Sequence, residues 1–384
     1  VYLDYGVHVL MLSFEIIYQS KKSKARVGRI HTPHGVIDTP GFVPVATNGS
    51  LKGVDNKMLT DAFSGLMFCN TYHLALHPGA DVVEAAGGLH SFIGRDKPLI
   101  TDSGGFQVFS LAYGSVASEL KSQGRKNQSN AVIKINEEGV IFRSYRDGSL
   151  IKFTPESSVE IQKKLGADII IPFDELPPFH IAQKDLAHAL DRTHRWQKRS
   201  LDTHLARPCN QSMYAVVHGG LESSLRKQSA LFLRDLPFDG FAVGGSLGKV
   251  TEDIARVLSY TVPHLPLDKP RHLLGIADVP GITHGVKYGM DTFDSCYPMR
   301  LARHGVLLTK SGRLKITSGA YKKDFTAIEE DCPCYSCKHY SRAYLHHLFK
   351  AHEPCALQLA SIHNVVCMDR MMQQIRLDIT QDLI

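Results

Sequence analysis

Between Gly41 and Asp294 the chain repeats one unit eight times: a short apolar run, a polar or glycine-rich end, then a stretch with helical spacing. The runs are GFVPVAT from Gly41, SGLMFCN ending at Asn70, PLITDSGG with Asp102, ADIIIPFDE with Asp174, MYAVVHGG with His218, DGFAVGG ending at Gly245, RHLLGI with Leu274, and MDTFD ending at Asp294. Continuous apolar runs suit parallel strands covered on both faces. Strands alternating with helices predict an α/β fold, either a closed (β/α)8 TIM barrel or a doubly wound open sheet. Eight units with polar residues at nearly every strand end favour the barrel, whose C-terminal rim gathers all the strand ends.

The connecting segments carry helix signals. Thr154, Pro155 and Glu156 supply an N-cap, a proline at the first helical position and an acid in the first turn, and Gly166 ends that helix. Leu221, Leu225 and Phe232 are expected to mark the buried face of a later helix. ARVGRIHTPHGVIDTP alternates as strands with a turn at His34-Gly35. An insertion runs from Ala112 to Phe153; KSQGRKNQSN inside it is polar, basic and expected to be mobile, and AVIKINEEGVIFRSYRDGSLIKF reads as strands joined at EEG and RDG turns. The expected divisions are an N-terminal extension and lead-in over 1–26, the barrel over 27–304 with its insertion 112–153, and a metal-binding subdomain with closing helices over 305–384.

No apolar run is long enough to span a bilayer, and GVHVLMLSFEII is too short, contains Glu15 and lacks a basic lead to be a signal peptide. Met11 is read as the initiator, with Val1–Leu10 an upstream extension, and the expected location is cytoplasmic. A formal charge of +6 fits an RNA partner without requiring one. Of eight cysteines, Cys332, Cys334 and Cys337 fall within six residues, a spacing that favours metal over disulfides and so a reducing compartment. Three such thiolates can hold one tetrahedral zinc with a histidine as fourth ligand, which closes the shell and makes the site structural. His339, His346, His347, His352 and His363 are all candidates, and spacing alone favours the nearer ones.

GMDTFDSCYPMRLARH, from Gly289 to His304, places Asp294 at a strand end with Arg300 and Arg303 just beyond, and Pro298 is expected to stop regular structure. A carboxylate there, beside two guanidinium groups, suggests a nucleophile or acid/base next to a phosphate-binding edge. TDSGGFQ offers Asp102, Ser103, two glycines that let a ligand approach the backbone, and Phe106 as a flat face for a base. A barrel brings Asp102, Asp174 and Asp294 to one mouth, where like charges are expected to raise at least one pKa and so separate an acid from a base. Paired carboxylates of this kind cleave glycosidic bonds, one serving as covalent nucleophile when they flank the bond closely.

Taken together, TDSGGFQ, NTYHL, FDE, AVGG, FDSCYPMRLARHG and the CPCYSC, SRAYLHHL and SIHN segments resemble the tRNA-guanine transglycosylase (queuine tRNA-ribosyltransferase) family in its bacterial-type catalytic form, over nearly everything from Val27 to Ile375. The resemblance implies a (β/α)8 barrel with a zinc subdomain. It implies exchange of guanine at the wobble position of tRNA with a GUN anticodon for a free 7-deazaguanine base, queuine or 7-aminomethyl-7-deazaguanine. Asp294 matches the family nucleophile and Asp102 the general acid/base. Asp174, Gly245, Ser103 and Phe106 match base-contacting positions, Asn70 lies in the motif beside the nucleophile, and His218 and Leu274 stand where the family has a base-contacting glutamine and methionine. Arg300 and Arg303 match arginines that grip the anticodon loop, and Cys332, Cys334, Cys337 and His363 match the ligands of one structural Zn²⁺, so the distant histidine is preferred. The family resemblance also implies a cytoplasmic homodimer.

Several positions depart from the family pattern. Leu176 replaces a cysteine, Met299 a threonine, and Ser246-Leu247-Gly248 a Leu-Ala-Val segment, while Val250 stands where a glutamate is usual. Gly248 is expected to leave room beside the base substituent, and Val250 cannot pair with an ammonium, so queuine is favoured over the aminomethyl base. The competing readings are a non-catalytic zinc-containing tRNA-binding subunit, against which the three carboxylates argue, and the archaeal-type exchange in the tRNA body. The second is disfavoured by the expectation that no added RNA-binding domain follows Ile384.

Overall fold

The computed structural model describes residues 12–107, 110 and 132–384; Val1–Leu10, Met11 as initiator and the basic stretch 121–130 lie outside the described residues. Eight parallel strands form the barrel: Gly41–Pro44, Met67–Cys69, Leu99–Thr101, Ile169–Ile170, Ser212–Val217, Gly240–Val243, Arg271–Leu273 and Thr292–Ser295. Sequential strands are neighbours around the sheet, and the first pairs with the eighth. A parallel bridge between Val45 and Phe68, with Ala46 N–H donating to Phe68 O at 2.7 Å, joins the first strand to the second and closes the ring. The fold is the (β/α)8 barrel and not the open sheet.

Alternation along each strand feeds two apolar layers. Phe42, Cys69, Leu99, Ile170, Ala215, Val243, Leu273 and Phe293 enter the core shared with the helices. Val43, Phe68, Ile100, Ile169, Val216 and Ala242 belong to a second cluster, which also takes Ile30 and Ile37 from the three-stranded antiparallel sheet Ser13–Gln19, Arg26–Thr32 and Gly35–Thr39. Burial on both faces explains why these strands read as unbroken apolar runs. The two-residue fourth strand is reinforced by a side chain: Gln162 Nε2 donates to Ile171 O at 2.8 Å, and its Oε1 accepts from Ile171 N at 3.0 Å. Gln197 treats Val216 in the same way, at 2.7 and 2.8 Å.

Thr154 caps helix Pro155–Leu165, and Gly166 ends it in the left-handed region at φ 73°. Two expectations are corrected. Pro298 does not stop regular structure: it sits in the first turn of helix Tyr297–Arg303, where its missing N–H is not needed. The buried face of helix Ser223–Arg234 is Arg226, Ser229, Ala230 and Leu233, whereas Leu221 precedes the helix and Phe232 is exposed. An apolar pattern could not reveal that face, because two of its four residues are polar.

Strands Val132–Ile135, Val140–Arg143 and Leu150–Phe153 form an antiparallel sheet, with Phe142 and Phe153 packed among Tyr72, Phe173 and Trp196. After the eighth strand come the hairpin Val306–Thr309/Gly312–Lys315 and helices Tyr335–His339, Arg342–Lys350 and Cys355–Thr380. Helix Cys355–Thr380 serves two cores. Ile362, Val365, Met368 and Met372 join the barrel's helix layer, while Leu359, Ala360 and Val366 join the cluster around the three cysteines. Among the described residues no helix is long and apolar enough to cross a membrane.

Candidate active site and metal centre

The polar strand ends form three groups at the C-terminal rim. After the second and third strands, Asn70 Nδ2 donates to Asp102 Oδ2 at 2.6 Å, Gln107 Nε2 donates to the same oxygen at 2.9 Å, and Thr71 N–H donates to Oδ1 at 2.7 Å. Burial pushes the Asp102 carboxyl up to about 6; these three donors pull it down, and the charge of Asp174 adds a smaller upward push. The upward push expected from a neighbouring like charge is present, but desolvation is the larger cause. Such a carboxyl can both give and take a proton near neutral pH.

The fourth and fifth strands supply the second group. Asp174 Oδ1 accepts from Ser103 Oγ at 2.9 Å, and Oδ2 lies 2.7 Å from His218 Nε2. His218 is buried, and its Nδ1 has no hydrogen-bond partner among the described residues. At Gly245, φ is +78° and an added Cβ would sit 2.9 Å from that Nδ1, so glycine alone lets the sixth-strand backbone approach the imidazole. Arg226, fully buried, donates to the carbonyls of Val217 and Gly244 at 2.8 Å, of Gly220 at 2.8 Å and of Ser246 at 3.1 Å. It thereby ties the loops after the fifth and sixth strands together beneath this group.

Asp294 forms the third group. Its Oδ1 accepts from Gly275 N–H at 2.8 Å and lies 3.1 Å from His272 Nε2; Oδ2 receives no hydrogen bond from the described residues. Leu274 packs against the inner apolar cluster, and Phe106 is about half exposed. Arg300 and Arg303 lie on helix Tyr297–Arg303, one turn apart, with Arg300 Nη2 3.1 Å from Cys296 Sγ. His272, Gln107 and Arg226 were not singled out from the sequence. A histidine inside an otherwise apolar strand was the available signal for the first.

A cleft of about 190 Å³, open to solvent, adjoins His218, Gly245 and Ser246 and is walled by Glu175, Phe179, Leu186, Leu190 and Leu221. Burial holds the Glu175 carboxyl above its usual range, opposed by Arg192, whose Nε is 2.8 Å away. Gly248 does not line this cleft. Its φ is +101°, and an added Cβ would fall 2.2 Å from Asp253 Cβ, so the space expected there is filled by Asp253. Val250 is exposed at the N-cap of helix Thr251–Thr261, and Lys249 Nζ sits 4.9 Å above the Phe179 ring at the cleft wall.

The cysteines and His363 meet in a separate buried cluster. His363 Nδ1 lies 3.9, 3.5 and 3.3 Å from the sulfurs of Cys332, Cys334 and Cys337. Tetrahedral zinc with ordinary Zn–S and Zn–N bonds requires N···S edges of about 3.6 Å, so the donor set fits that geometry. His363 Nε2 lies 2.7 Å from Leu308 O, an arrangement that fixes Nδ1 as the ligating nitrogen. His346 Nδ1 instead faces Ile316 O at 2.8 Å. Residues 310–354 thus bring three thiols to a helix that itself packs on the barrel.

A family model described as queuine tRNA-ribosyltransferase matches residues 20–384. The chain belongs to that family. It is 61% identical over 379 residues to the queuine tRNA-ribosyltransferase of Protochlamydia amoebophila, covering 99% of this chain and 98% of the relative. It is 58% identical over 374 residues to the protein of that name from Chlamydia muridarum, covering 97% and 100%. Membership of this family makes the chain a pentosyltransferase.

Proposed function

We propose that this transglycosylase exchanges guanine at the wobble position of tRNA with a GUN anticodon for a free 7-deazaguanine base, through a covalent aspartyl–RNA intermediate. The observation that carries this reading is a pair of carboxyls at one barrel rim in unlike settings. Asp102 is buried and raised to about 6, whereas Asp294 has one oxygen held by two donors and the other left without any among the described residues. Environments that differ in this way separate a proton carrier from a nucleophile. Asp294 attacks C1′ of the ribose as the bond to the base breaks, and Asp102 gives the departing base a proton. The incoming base then gives its own N9 proton to Asp102 and attacks C1′, the ester bond to Asp294 breaks with its electron pair going to the carboxylate, and two displacements retain configuration.

Asp174, fixed by Ser103 and His218, receives the pyrimidine edge of the base, and the backbone at Gly245 meets its carbonyl. Asn70 keeps Asp102 in place, and Phe106 and Leu274 bracket the base plane. Recognition of an extruded single-stranded base is the usual mode for RNA-modifying enzymes. Arg300 and Arg303 contact the anticodon loop. Zn²⁺ held by Cys332, Cys334, Cys337 and His363 is structural: all four positions come from the protein, and it ties the 305–384 subdomain to the 27–304 barrel. The exposed rings of Tyr335 and Tyr344, in one aromatic cluster with His339, Tyr340 and His347, suit burial against a second copy in a homodimer. A cytoplasmic location follows from the tRNA substrate and the reduced thiols.

Queuine is the base this reading prefers. The support is the open cleft beside Gly245 and Ser246; Gly248, whose side-chain space Asp253 fills, and Val250, which is exposed and does not line the cleft, add nothing to it. The test is mass spectrometry of tRNA incubated with the protein and each base in turn. Incorporation of either base at the wobble position supports the exchange, with queuine expected to go in faster. No exchange with either base rejects it.

A further inference from the structure

We propose that His272 is the positioning residue of the nucleophile and that Oδ2 of Asp294 is the attacking oxygen, an inference that rests on the covalent reading above. His272 lies in the seventh strand, opposite Thr292 in the eighth, two residues before Asp294. Alternation therefore places its ring on the inward face directly below the carboxylate. The residue is wholly buried, its ring 6.2 Å from that of Phe68 at 25°. Nε2 lies 3.1 Å from Asp294 Oδ1, and Nδ1 lies 2.8 Å from Thr292 Oγ1. A carboxylate accepts, so Nε2 carries a hydrogen, and with a neutral ring the Thr292 hydroxyl donates to Nδ1. One neutral tautomer satisfies both ends.

Gly275 N–H donates to the same Oδ1 at 2.8 Å. Two donors on one oxygen fix the carboxylate's rotation and leave Oδ2 with no donor among the described residues. In the transfer step Oδ2 bonds to C1′, the C1′–N9 bond breaks with its electron pair going to the base, and the Asp102 proton neutralises that base. Asp294 then carries an ester, and the Oδ1 that stays hydrogen-bonded to His272 and Gly275 is its carbonyl oxygen. A neutral partner suits both states, because it leaves no buried cation behind when the carboxylate charge disappears. Loss of this support frees the carboxylate to rotate, and small misplacements of reacting atoms cost up to about 100-fold in rate.

The experiment is single-turnover formation of the denaturation-resistant protein–tRNA adduct in full-length wild type, His272→Leu, His272→Gln and Asp294→Asn, with steady-state constants for each. His272→Leu should lower kcat and the adduct rate by about 30- to 100-fold with the KM for tRNA within about twofold of wild type. His272→Gln keeps an N–H that reaches Oδ1, and should recover most of the loss. Equal losses in the leucine and glutamine variants, or a wild-type rate in the leucine variant, would overturn the assignment. An adduct that persists in Asp294→Asn overturns the covalent reading itself, whatever the His272 variants do.

Discussion

Asn70 Nδ2 stands 2.6 Å from Asp102 Oδ2, the closest of three donors that hold a carboxyl which burial has raised from its ordinary 3.8 to about 6. The folded chain therefore binds this proton more tightly than the unfolded chain. Wild-type stability should fall as pH rises from about 4 to about 6, by about 3 kcal/mol from this group alone. The Asn variant of Asp102 escapes that cost, so its Tm minus the wild-type Tm should be larger at about pH 7.5 than at about pH 4. Thermal unfolding of both proteins at the two pH values checks the sign; a difference independent of pH would show that the carboxyl is not raised.

Removing a ligand from the Cys–His cluster should release the metal. Cys334→Ala or His363→Ala is expected to bind well under one zinc per chain and to lose solubility, because the cluster lies within the core that helix Cys355–Thr380 shares. Elemental analysis decides it. Full zinc occupancy in both variants would remove these residues from the ligand set.

Arg300 and Arg303 should act on RNA through charge. Each alanine variant is expected to raise the apparent tRNA constant and to reduce the slope of log affinity against log salt by about 1. Unchanged slopes would leave them as ordinary surface arginines.

Gly248→Val should destabilise the protein without reversing its choice of base. The backbone there has φ +101° and Asp253 fills the side-chain space, so valine adds strain of about 1–3 kcal/mol. Denaturant unfolding and competition between the two bases measure both effects. A stable variant that now prefers the aminomethyl base would restore Gly248 to the substituent pocket.

The barrel was legible because its strands are buried on both faces, so each of the eight appears as an apolar run, nearly all of them ending in a polar residue or glycine. The carboxylates at those ends followed from the same pattern, and the zinc cysteines from their spacing. Less was legible where the decisive contact is a polar group inside an apolar element. His272 and Arg226 look out of place in their strand and helix, and only the folded barrel shows the carboxylate and the carbonyls they serve. Gly248 failed for a different reason: a glycine can mark a vacant space or a backbone that no side chain tolerates, and sequence does not separate the two. Pro298 shows the same ambiguity, since the residue that breaks a helix interior also opens a helix.

The most direct test of the account is whether the chain becomes covalently attached to its RNA. Wild type mixed with tRNA and resolved by denaturing electrophoresis should give a shifted band containing both, and Asp294→Asn should give none. A band of equal intensity in that variant, or none with wild type under conditions where guanine exchange proceeds, would contradict a mechanism through Asp294.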